Sequence, residues 1–287
     1  MDFPAELRDF LTTRRARLSP DKAGVPTFHG TRRVPGLRRE EVAHLAGVSV
    51  DYYTRLERGK VAGVSQEVLE AVARALQLDE DEREHLLHLV ESIQPVRPAH
   101  PRRTAKRAAV RPELQRVLDS LTVPAFIQNN RLDFVAANHL GRAIYSLPQP
   151  GDGEPFNPLR YQFLDARAQE FYRDYELATT NGVALLRAAA GENPTDEGII
   201  KLVGELSTQS ESFRTLWAAH NVLRYRHGAK RYQHPIVGDL DFDYESLQVT
   251  DTPALTMIVY TLEPNSPTQQ ALQLLASWTT TTGPSLK

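Results

Sequence analysis

The sequence predicts a multidomain protein, with an all-α domain at the N-terminal end followed by an α+β domain. The chain has 287 residues, which is more than one domain usually needs. Apolar residues recur at helical spacing up to about residue 95, and alternating runs typical of strands appear from about residue 125. Between them lies a stretch rich in proline and arginine. We therefore expect domains at 1–95 and 112–287, joined by a linker at 96–111.

Five amphipathic helices are predicted in the first domain, and capping or breaking residues mark an end of three of them. Ser19-Pro20 ends the first helix, and Ser65 is the expected cap of the fourth. The expected ranges are 5–18, 38–46, 50–58, 66–76 and 79–93.

The second and third helices flank the turn Gly47-Val48-Ser49. The Ser49 hydroxyl can accept from the free amides that open the third helix. Ala43 and Gly47 are small, as expected where two helices cross closely. This layout is typical of a helix-turn-helix, whose second helix enters the major groove of DNA. The alternative is a structural helical hairpin without a DNA function.

The second domain is predicted to alternate between helices and strands. The segment VPAFIQNNRLDFVAANHLGRAIY indicates a strand, an Asn-Asn turn, a second strand and a helix from about Asn138. Later strands are expected to pair in antiparallel fashion at 229–234, 238–249 and 255–260. Further helices are expected at 113–121, 165–190, 196–206 with Thr195 as cap, 212–221 and 271–278.

Composition narrows the class of protein. The chain has no cysteine, which excludes disulfides, thiolate metal sites and a cysteine nucleophile. No apolar run approaches the ~18 to 20 residues of a membrane helix, and the first residues lack the pattern of a secretory signal. We expect a cytoplasmic, nucleoid-associated protein with no membrane partner.

Charge is distributed unevenly along the chain. Residues 1–111 contain 20 basic and 16 acidic residues, whereas the remaining residues contain 14 and 20. The segment 97–111 has six basic residues and no acidic one. Its charges would contact phosphates or simply keep the linker solvated. A basic N-terminal part is the pattern expected of a chain that binds nucleic acid at one end.

Two parts of the sequence resemble known families. The run RRVPGLRREEVAHLAGVSVDYYTRLERGK resembles the XRE helix-turn-helix regulators, including their Ala-Gly-Val-Ser turn and the Glu57-Arg58-Gly59 end of the recognition helix. The segments PAFIQNN, AANHLGRAIY, SFRTLWAAHNV and QHPIVGDLDFDYESL resemble the MmyB-like domain of the actinobacterial branch of that family. That resemblance implies a PAS-like, ligand-binding domain and, as the leading suggestion, a fatty-acid-like ligand.

The DNA-contacting residues are expected on and beside the third helix. Arg55 is the best candidate for reading a base, because arginine can bond guanine O6 and N7 together. The alternative is an intrahelical pair between Arg55 and Asp51. Arg38 and Arg39 lie beside free helix amides and are expected to contact phosphate. Asp51 could itself accept from cytosine N4. The remaining candidates are Ser49, Val50, Tyr52, Thr54, Arg58 and Lys60, whereas Glu57 is expected to be structural.

The ligand-contacting residues are expected in the second domain, between a sheet and its helices. Plain core packing is the alternative for each aromatic residue. Arg187 or Arg224 is a candidate to hold a carboxylate head group. The candidate lining residues are Phe126, Asn138, Tyr145, Phe163, Phe171, Trp217, His220, Val222 and Tyr260.

Chemistry other than binding has little support in the sequence. No nucleophile elbow, P-loop or glycine-rich dinucleotide turn is present. His220, His227 and His234 are spaced too widely for a compact metal motif, and Asp239, Asp241 and Asp243 alternate as solvent-exposed strand residues do. We expect no catalytic residue, metal or cofactor. The sequence therefore predicts a homodimeric regulator that binds a DNA operator and whose C-terminal domain dimerises and senses a small lipophilic ligand. The first rival is a C-terminal domain that docks a protein. The second is a lipid hydrolase fused to a DNA-binding domain, against which the missing nucleophile motif argues.

Overall fold

The computed structural model describes residues 2–25, 34–94, 110–147, 154–224 and 226–281, with side chains as far as residue 277. The chain divides into two compact units. Unit 1 contains Met1–Arg102, Arg187–Ile200 and Thr215–Arg224, and unit 2 contains Arg103–Leu186, Lys201–Arg214 and Tyr225–Lys287. Arg187–Ile200 and Thr215–Arg224 therefore belong to unit 1. The sequence analysis had placed all residues after 111 in the second domain. Most of the expected linker lies outside the described residues.

All five predicted N-terminal helices are confirmed, with ends shifted by at most two residues. The hydroxyls of Ser49 and Ser65 accept from the amides of Tyr52 and Val68, so both predicted serine caps are present. The helices are α1 (Phe3–Arg17), α2 (Arg39–Ala46), α3 (Val50–Glu57), α4 (Gln66–Ala75) and α5 (Glu80–Ile93).

The core of unit 1 brings these helices together with the later segments. Ala188 and Val222 belong to the same apolar cluster as the N-terminal helices. The cluster members with no accessible surface lie mainly on α1, α2, α3 and α5, so their burial fixes these helices against one another. These members are Leu7, Phe10, Leu11, Leu37, Val42, Ala43, Tyr53, Leu56, Val72, Leu86 and Leu89.

The rest of the chain combines helices with a sheet, so the predicted α+β class is confirmed. The helices are α6 (Pro112–Ser120), α7 (His139–Ile144), α8 (Pro158–Leu164), α9 (Ala168–Phe171), α10 (Tyr175–Glu192), α11 (Glu197–Gln209), α12 (Glu211–Ala218) and α13 (Pro267–Thr281). The strands are β1 (Ala125–Asn129), β2 (Phe134–Ala137), β3 (His227–His234), β4 (Gly238–Gln248) and β5 (Leu255–Thr261).

The five strands form one antiparallel sheet in the order β2-β1-β5-β4-β3. Phe126 is opposite both Ala137 and Ile258, so β1 joins the early hairpin to the late strands. One face of the sheet carries the aromatic core of unit 2. The other face carries a smaller cluster that includes Leu118 of α6.

The helix predicted at 165–190 is wrong in its first part. The chain breaks at Tyr172, which forms a bridge to Tyr232 of β3, and the Arg173 amide donates to the Arg231 carbonyl at 3.2 Å. Pairing with the sheet thus replaces helical hydrogen bonds there.

Two helix starts were also misjudged. The predicted cap Thr195 is wrong, because the Asp196 carboxylate accepts from the amides of Gly198 and Ile199. Helix α8 was not predicted, although Asn157-Pro158 has the signal of a cap followed by a proline at the first helical position. No described helix is long and apolar enough to cross a membrane.

Candidate functional sites

The turn between α2 and α3 depends on the backbone of Gly47. Its φ is 68°, in the left-handed region that glycine adopts without strain. The Gly47 amide donates to His44 at 3.1 Å, and the Val48 amide donates to Ala43 at 3.0 Å. Apart from Gly47 and its two chain neighbours, no atom of the described residues lies within 4 Å of the place where a Cβ on Gly47 would be, so its role is conformational. The close helix crossing assigned to Gly47 from the sequence is therefore wrong.

A buried carboxylate holds α3 against α1 and α2. The Glu57 side chain is 1% exposed. It accepts from Thr12 Oγ1 at 2.8 Å, from Arg15 Nη2 at 3.0 Å and from Arg39 Nε at 2.8 Å. Burial opposes its ionisation, but these hydrogen bonds outweigh burial and lower the pKa of Glu57. The recognition helix is thus fixed at its end by two arginines and a hydroxyl.

The two arginines at the start of α2 have different roles. The hydrogen bond to Glu57 raises the pKa of Arg39, whose side chain is nevertheless 49% exposed. Arg39 is therefore oriented by a buried partner while part of it stays accessible. The Arg38 guanidinium is 3.4 Å from Glu40, and both side chains are exposed. An exposed pair of this kind is weak and leaves Arg38 available to another anion.

The exposed face of α3 carries most of the predicted DNA-contacting residues. Val50 is 46% exposed. The Arg55 guanidinium lies 5.7 Å from the centre of the Tyr52 ring. The alternative pair is not formed, because no described carboxylate, Asp51 included, lies within 4.0 Å of Arg55. Ser49, Asp51, Arg58 and Lys60 are also exposed, and Tyr52 and Thr54 are partly so.

Four ligand candidates belong to one cluster of rings, which we call the aromatic cluster. Within it, Phe126 is 5.2 Å from Tyr260 and 5.8 Å from Tyr145, and Tyr145 is 5.3 Å from Phe171. Spacings of this size between ring centres are typical of favourable aromatic pairs. The cluster consists of Phe126, Phe134, Tyr145, Phe156, Tyr161, Phe171, Tyr172, Tyr232, Phe242 and Tyr260.

Asn138 and Phe163 lie elsewhere in unit 2. The Asn138 carbonyl oxygen accepts from the amides of Ala125 and Gly141, at 3.1 and 2.9 Å. Its NH2 group donates to the carbonyls of Leu121 and Val123, at 3.2 and 2.7 Å. The side chain therefore links β1 to α7. The Phe163 ring packs against Phe213 at 5.2 Å.

The last three ligand candidates belong to unit 1. The Trp217 ring lies 4.0 Å from the Arg187 guanidinium, and His220 Nδ1 is 3.3 Å from a carboxylate oxygen of Glu6. Val222 is part of the unit 1 core. The structure therefore does not bring the nine candidates together at one site.

Two family models match the chain. Residues 6–86 match a helix-turn-helix domain, and residues 110–275 match the MmyB-like transcription regulator ligand binding domain. The second match covers more than half of the chain. The chain belongs to the MmyB-like transcription regulators. It is therefore a DNA-binding helix-turn-helix regulator with a ligand-binding domain, and neither family is one of enzymes. A search of curated proteins gave no match.

The regulator also contains a buried charged cluster in unit 1 that the sequence did not reveal. The Arg187 side chain is 1% exposed, pairs with Glu6 and donates to the Trp217 carbonyl. Burial lowers the pKa of Arg187 to about 9. Arg14 pairs with Glu82 at 2.8 Å and donates to the His220 carbonyl. The partners are too far apart in the sequence for spacing to show them.

Both arginines suggested for a ligand head group already have acidic partners. Arg187 pairs with Glu6, as above. Arg224 Nη2 lies 2.9 Å from Glu84 and 2.7 Å from Glu192. These contacts all lie within unit 1.

The sequence analysis also considered two sets of residues as possible metal ligands. Among the described residues of the regulator, no group of three metal-ligating side chains lies close enough to hold an ion. His234 Nε2 is 3.3 Å from the Ala143 carbonyl. Asp239, Asp241 and Asp243 are exposed, and Arg173 pairs with the first two at 3.4 and 2.8 Å.

Proposed function

We propose that this regulator binds a specific operator and that its C-terminal domain senses a small lipophilic, fatty-acyl-like ligand. The observation that carries the DNA part is the exposed face of α3, anchored from behind by Glu57. The aromatic cluster and the family match support the ligand part. In this proposal ligand binding shifts the population of forms that fit the operator.

The contacts to DNA are assigned by side-chain chemistry. Arg55 reads guanine, Asp51 accepts from cytosine N4, and Val50 and Thr54 contact thymine methyl groups. Six further residues contact phosphate or position the helix on the backbone, namely Arg38, Arg39, Ser49, Tyr52, Arg58 and Lys60.

The operator is first selected from a pool of random DNA duplexes with the full-length protein. Arg55→Ala should lose roughly 1–3 kcal/mol at one base position and relax the preference there. Arg58→Ala should weaken binding to all sequences and reduce the salt slope by about one.

A matched control is Arg83→Ala, which removes one positive charge from α5, where Arg83 pairs with Glu70. It should change neither the base preference nor the salt slope. Selection of no sequence, or equal effects of Arg55→Ala and Arg83→Ala, would contradict the assignment.

We also propose a homodimer on a pseudo-palindromic operator. One recognition helix reads too few base pairs for selective binding in a genome. The half-sites should lie about 34 Å apart, one helical turn of DNA. Light scattering at micromolar concentration should give the mass of two chains. A single-chain mass with and without DNA would exclude this assembly.

The ligand proposal rests on apolar burial. Removal of apolar surface from water contributes about 25 cal/mol per Å², so a long acyl chain gains several kcal/mol without a charged contact. Calorimetry with fatty acids of increasing length should show affinity that rises with length. Linkage requires a different affinity when DNA is bound. Binding at no chain length would favour the rival, a domain that docks a protein partner.

A further inference from the structure

Two segments of the ligand-binding family match belong to unit 1, the unit that contains α1 to α5. They are residues 187–200 and 215–224, and both fall inside the matched range 110–275. Ala188 and Val222 are buried in the same apolar cluster as the N-terminal helices. We call these two stretches the inserted segments. The recognition helix and part of the ligand-binding family match therefore share one core.

Buried charge joins the inserted segments to α1. Arg187 is 1% exposed and pairs with Glu6, in the first turn of α1. The Arg187 guanidinium also donates to the Trp217 carbonyl and lies 4.0 Å from the centre of the Trp217 ring, so it is held from the side of the segments. Loss of one partner would leave the other charge buried without compensation. The pair therefore resists separation of α1 from the inserted segments.

Two further contacts join the inserted segments to the last turn of α1. Arg14 Nη2 donates to the carbonyl of His220. Arg17 Nη1 donates to Asn221 Oδ1 at 2.9 Å, in an exposed contact. Because Glu6 lies in the first turn, the inserted segments hold α1 near both of its ends.

Other residues of α1 contact the end of the recognition helix. Thr12 Oγ1 and Arg15 Nη2 donate to the buried Glu57 carboxylate at 2.8 and 3.0 Å. A Cβ on Gly59 would lie only 2.6 Å from the Cα of Pro4, so the chain that follows α3 passes directly against the start of α1. A displacement of α1 would therefore disturb the contacts that hold α3.

We propose that Arg187 is a positioning residue for operator binding, which acts through Glu6 and α1 on the recognition helix. This inference rests on the proposed reading of DNA by the exposed face of α3. Arg187 is buried and does not contact DNA itself. It keeps α1 in the place where Glu57 holds α3 and orients Arg39. Loss of the Arg187–Glu6 pair therefore weakens binding to the operator more than binding to unrelated DNA, which depends mainly on surface charge.

The test compares two duplexes, the operator selected from random DNA and a duplex of unrelated sequence, on the full-length protein. Arg187→Met removes the charge and keeps most of the side-chain volume. It should weaken operator binding by about tenfold and binding to the unrelated duplex by less than about twofold. Fluorescence anisotropy measures both affinities, and circular dichroism at the same temperature checks folding. A smaller folded fraction would lower both affinities alike.

The matched control is Arg224→Met. It removes the same charge from the inserted segments, but Arg224 pairs with Glu84 of α5 and with Glu192 instead of with α1. The operator affinity should stay within about twofold of that of the unchanged protein. Equal losses for Arg187→Met and Arg224→Met would mean that loosening the segments in any way weakens DNA binding, which contradicts an action through α1.

A double-mutant cycle tests the route through Glu6. Glu6→Gln should itself weaken operator binding, and in that background Arg187→Met should add less than about twofold. Additive losses would mean that Arg187 acts through another contact, and the route would be wrong.

A milder variant of the same interface is Asn221→Ala, which removes only the exposed bond from Arg17. It should weaken operator binding by about two- to threefold, because one hydrogen bond is lost. This variant decides the question if Arg187→Met does not fold.

Two results would overturn the inference. Unchanged operator affinity of folded Arg187→Met, or of Asn221→Ala where the first variant does not fold, removes the positioning role and leaves the reading of DNA by α3 in place. Selection of no operator by the unchanged protein contradicts the proposed function as well as this inference.

Discussion

The interiors of the two units contain different kinds of polar group. Unit 1 buries the charged side chains of Arg14, Glu57 and Arg187, together with His85 and His220. The described part of unit 2 buries no lysine, arginine, aspartate or glutamate side chain. Its buried polar residues are Gln128, Asn138, Asn157, Gln162, Thr179, Ser210, His234 and Thr268, besides the tyrosines.

This difference matches what each unit has to do. A buried ion pair holds two elements in one geometry, because an unpaired charge in the interior is very unfavourable. Glu57 uses this to orient the DNA-binding helix. Under the proposed function, the neutral interior of unit 2 holds an apolar ligand without placing a buried charge against it.

The largest expected effect comes from removing a charge from the interior of unit 1. Glu57→Ala should lower the free energy of unfolding by about 3–5 kcal/mol, because Arg15 loses its buried partner and Arg39 its orientation. Urea unfolding with hydrogen exchange measured on peptides from α3 would detect this.

A matched variant in unit 2 is Glu205→Ala, which breaks the partly exposed pair with Arg160 at 2.8 Å. It should cost at most about 1 kcal/mol. Equal losses of unfolding free energy for the two variants would show that buried charge does not contribute more to stability in unit 1 than the exposed pair does in unit 2.

The next largest effect should be a dependence of the stability of unit 1 on pH. Burial lowers the pKa of His85 from 6.5 to about 3. Between these two pH values, His85 is protonated in the unfolded chain and neutral in the folded chain. Stability therefore falls as the pH drops below 6.5. From pH 7.5 to pH 5 the His85 contribution should be a loss of about 2 kcal/mol.

His85→Leu removes this titration. The stability difference between pH 7.5 and pH 5, measured by urea unfolding, should shrink by about 2 kcal/mol. His220, whose pKa burial lowers to about 4, would still contribute. An unchanged difference between the two pH values would refute the assignment to His85.

A smaller effect is expected from the hydroxyls of unit 2. The Tyr232 hydroxyl lies 2.8 Å from those of both Tyr145 and Tyr260, and Tyr232→Phe removes this shared partner. The loss should be about 1–3 kcal/mol, measured by hydrogen exchange on β3 and β5. Tyr161→Phe should lose less than about 0.5 kcal/mol. Similar losses for both variants would mean that the hydrogen bonds of the Tyr232 hydroxyl add nothing to stability.

The smallest effect should be the same in both units. Ser49 caps α3, and Ser210 caps α12 by accepting from the Phe213 amide at 3.2 Å. Each serine-to-alanine change should cost about 1 kcal/mol, because a cap is a local, uncharged contact. Thermal unfolding of both variants would measure the two losses. A much larger loss in one unit would mean that caps, too, depend on the surrounding interior.

The sequence predicted local structure better than long-range partners. Ser49 and Ser65 cap the expected helices because capping depends on residues only three apart. The break at Tyr172 was missed because its cause, a bridge to Tyr232, lies on a distant strand. For the same reason the sequence did not reveal the pairing of Arg187 with Glu6.

The candidate site residues divide in the same way. The exposed face of α3 follows from helical periodicity, so the exposure of Arg55 and Val50 could be predicted without coordinates. The aromatic candidates required knowledge of which rings meet. Trp217 and His220 were grouped with Phe126 by family resemblance, yet they belong to the other unit.

The order of strands in the sheet has a consequence during synthesis. β1 ends at Asn129, but its partner β5 begins only at Leu255. At a typical rate of synthesis the β1–β2 hairpin waits on the order of ten seconds for β5. A lone hairpin is marginal in water, so Phe126 and Ile127 are exposed to other nascent chains and to chaperones during that time. We therefore expect the yield of folded regulator in a cell to depend on how fast the ribosome reaches Thr261.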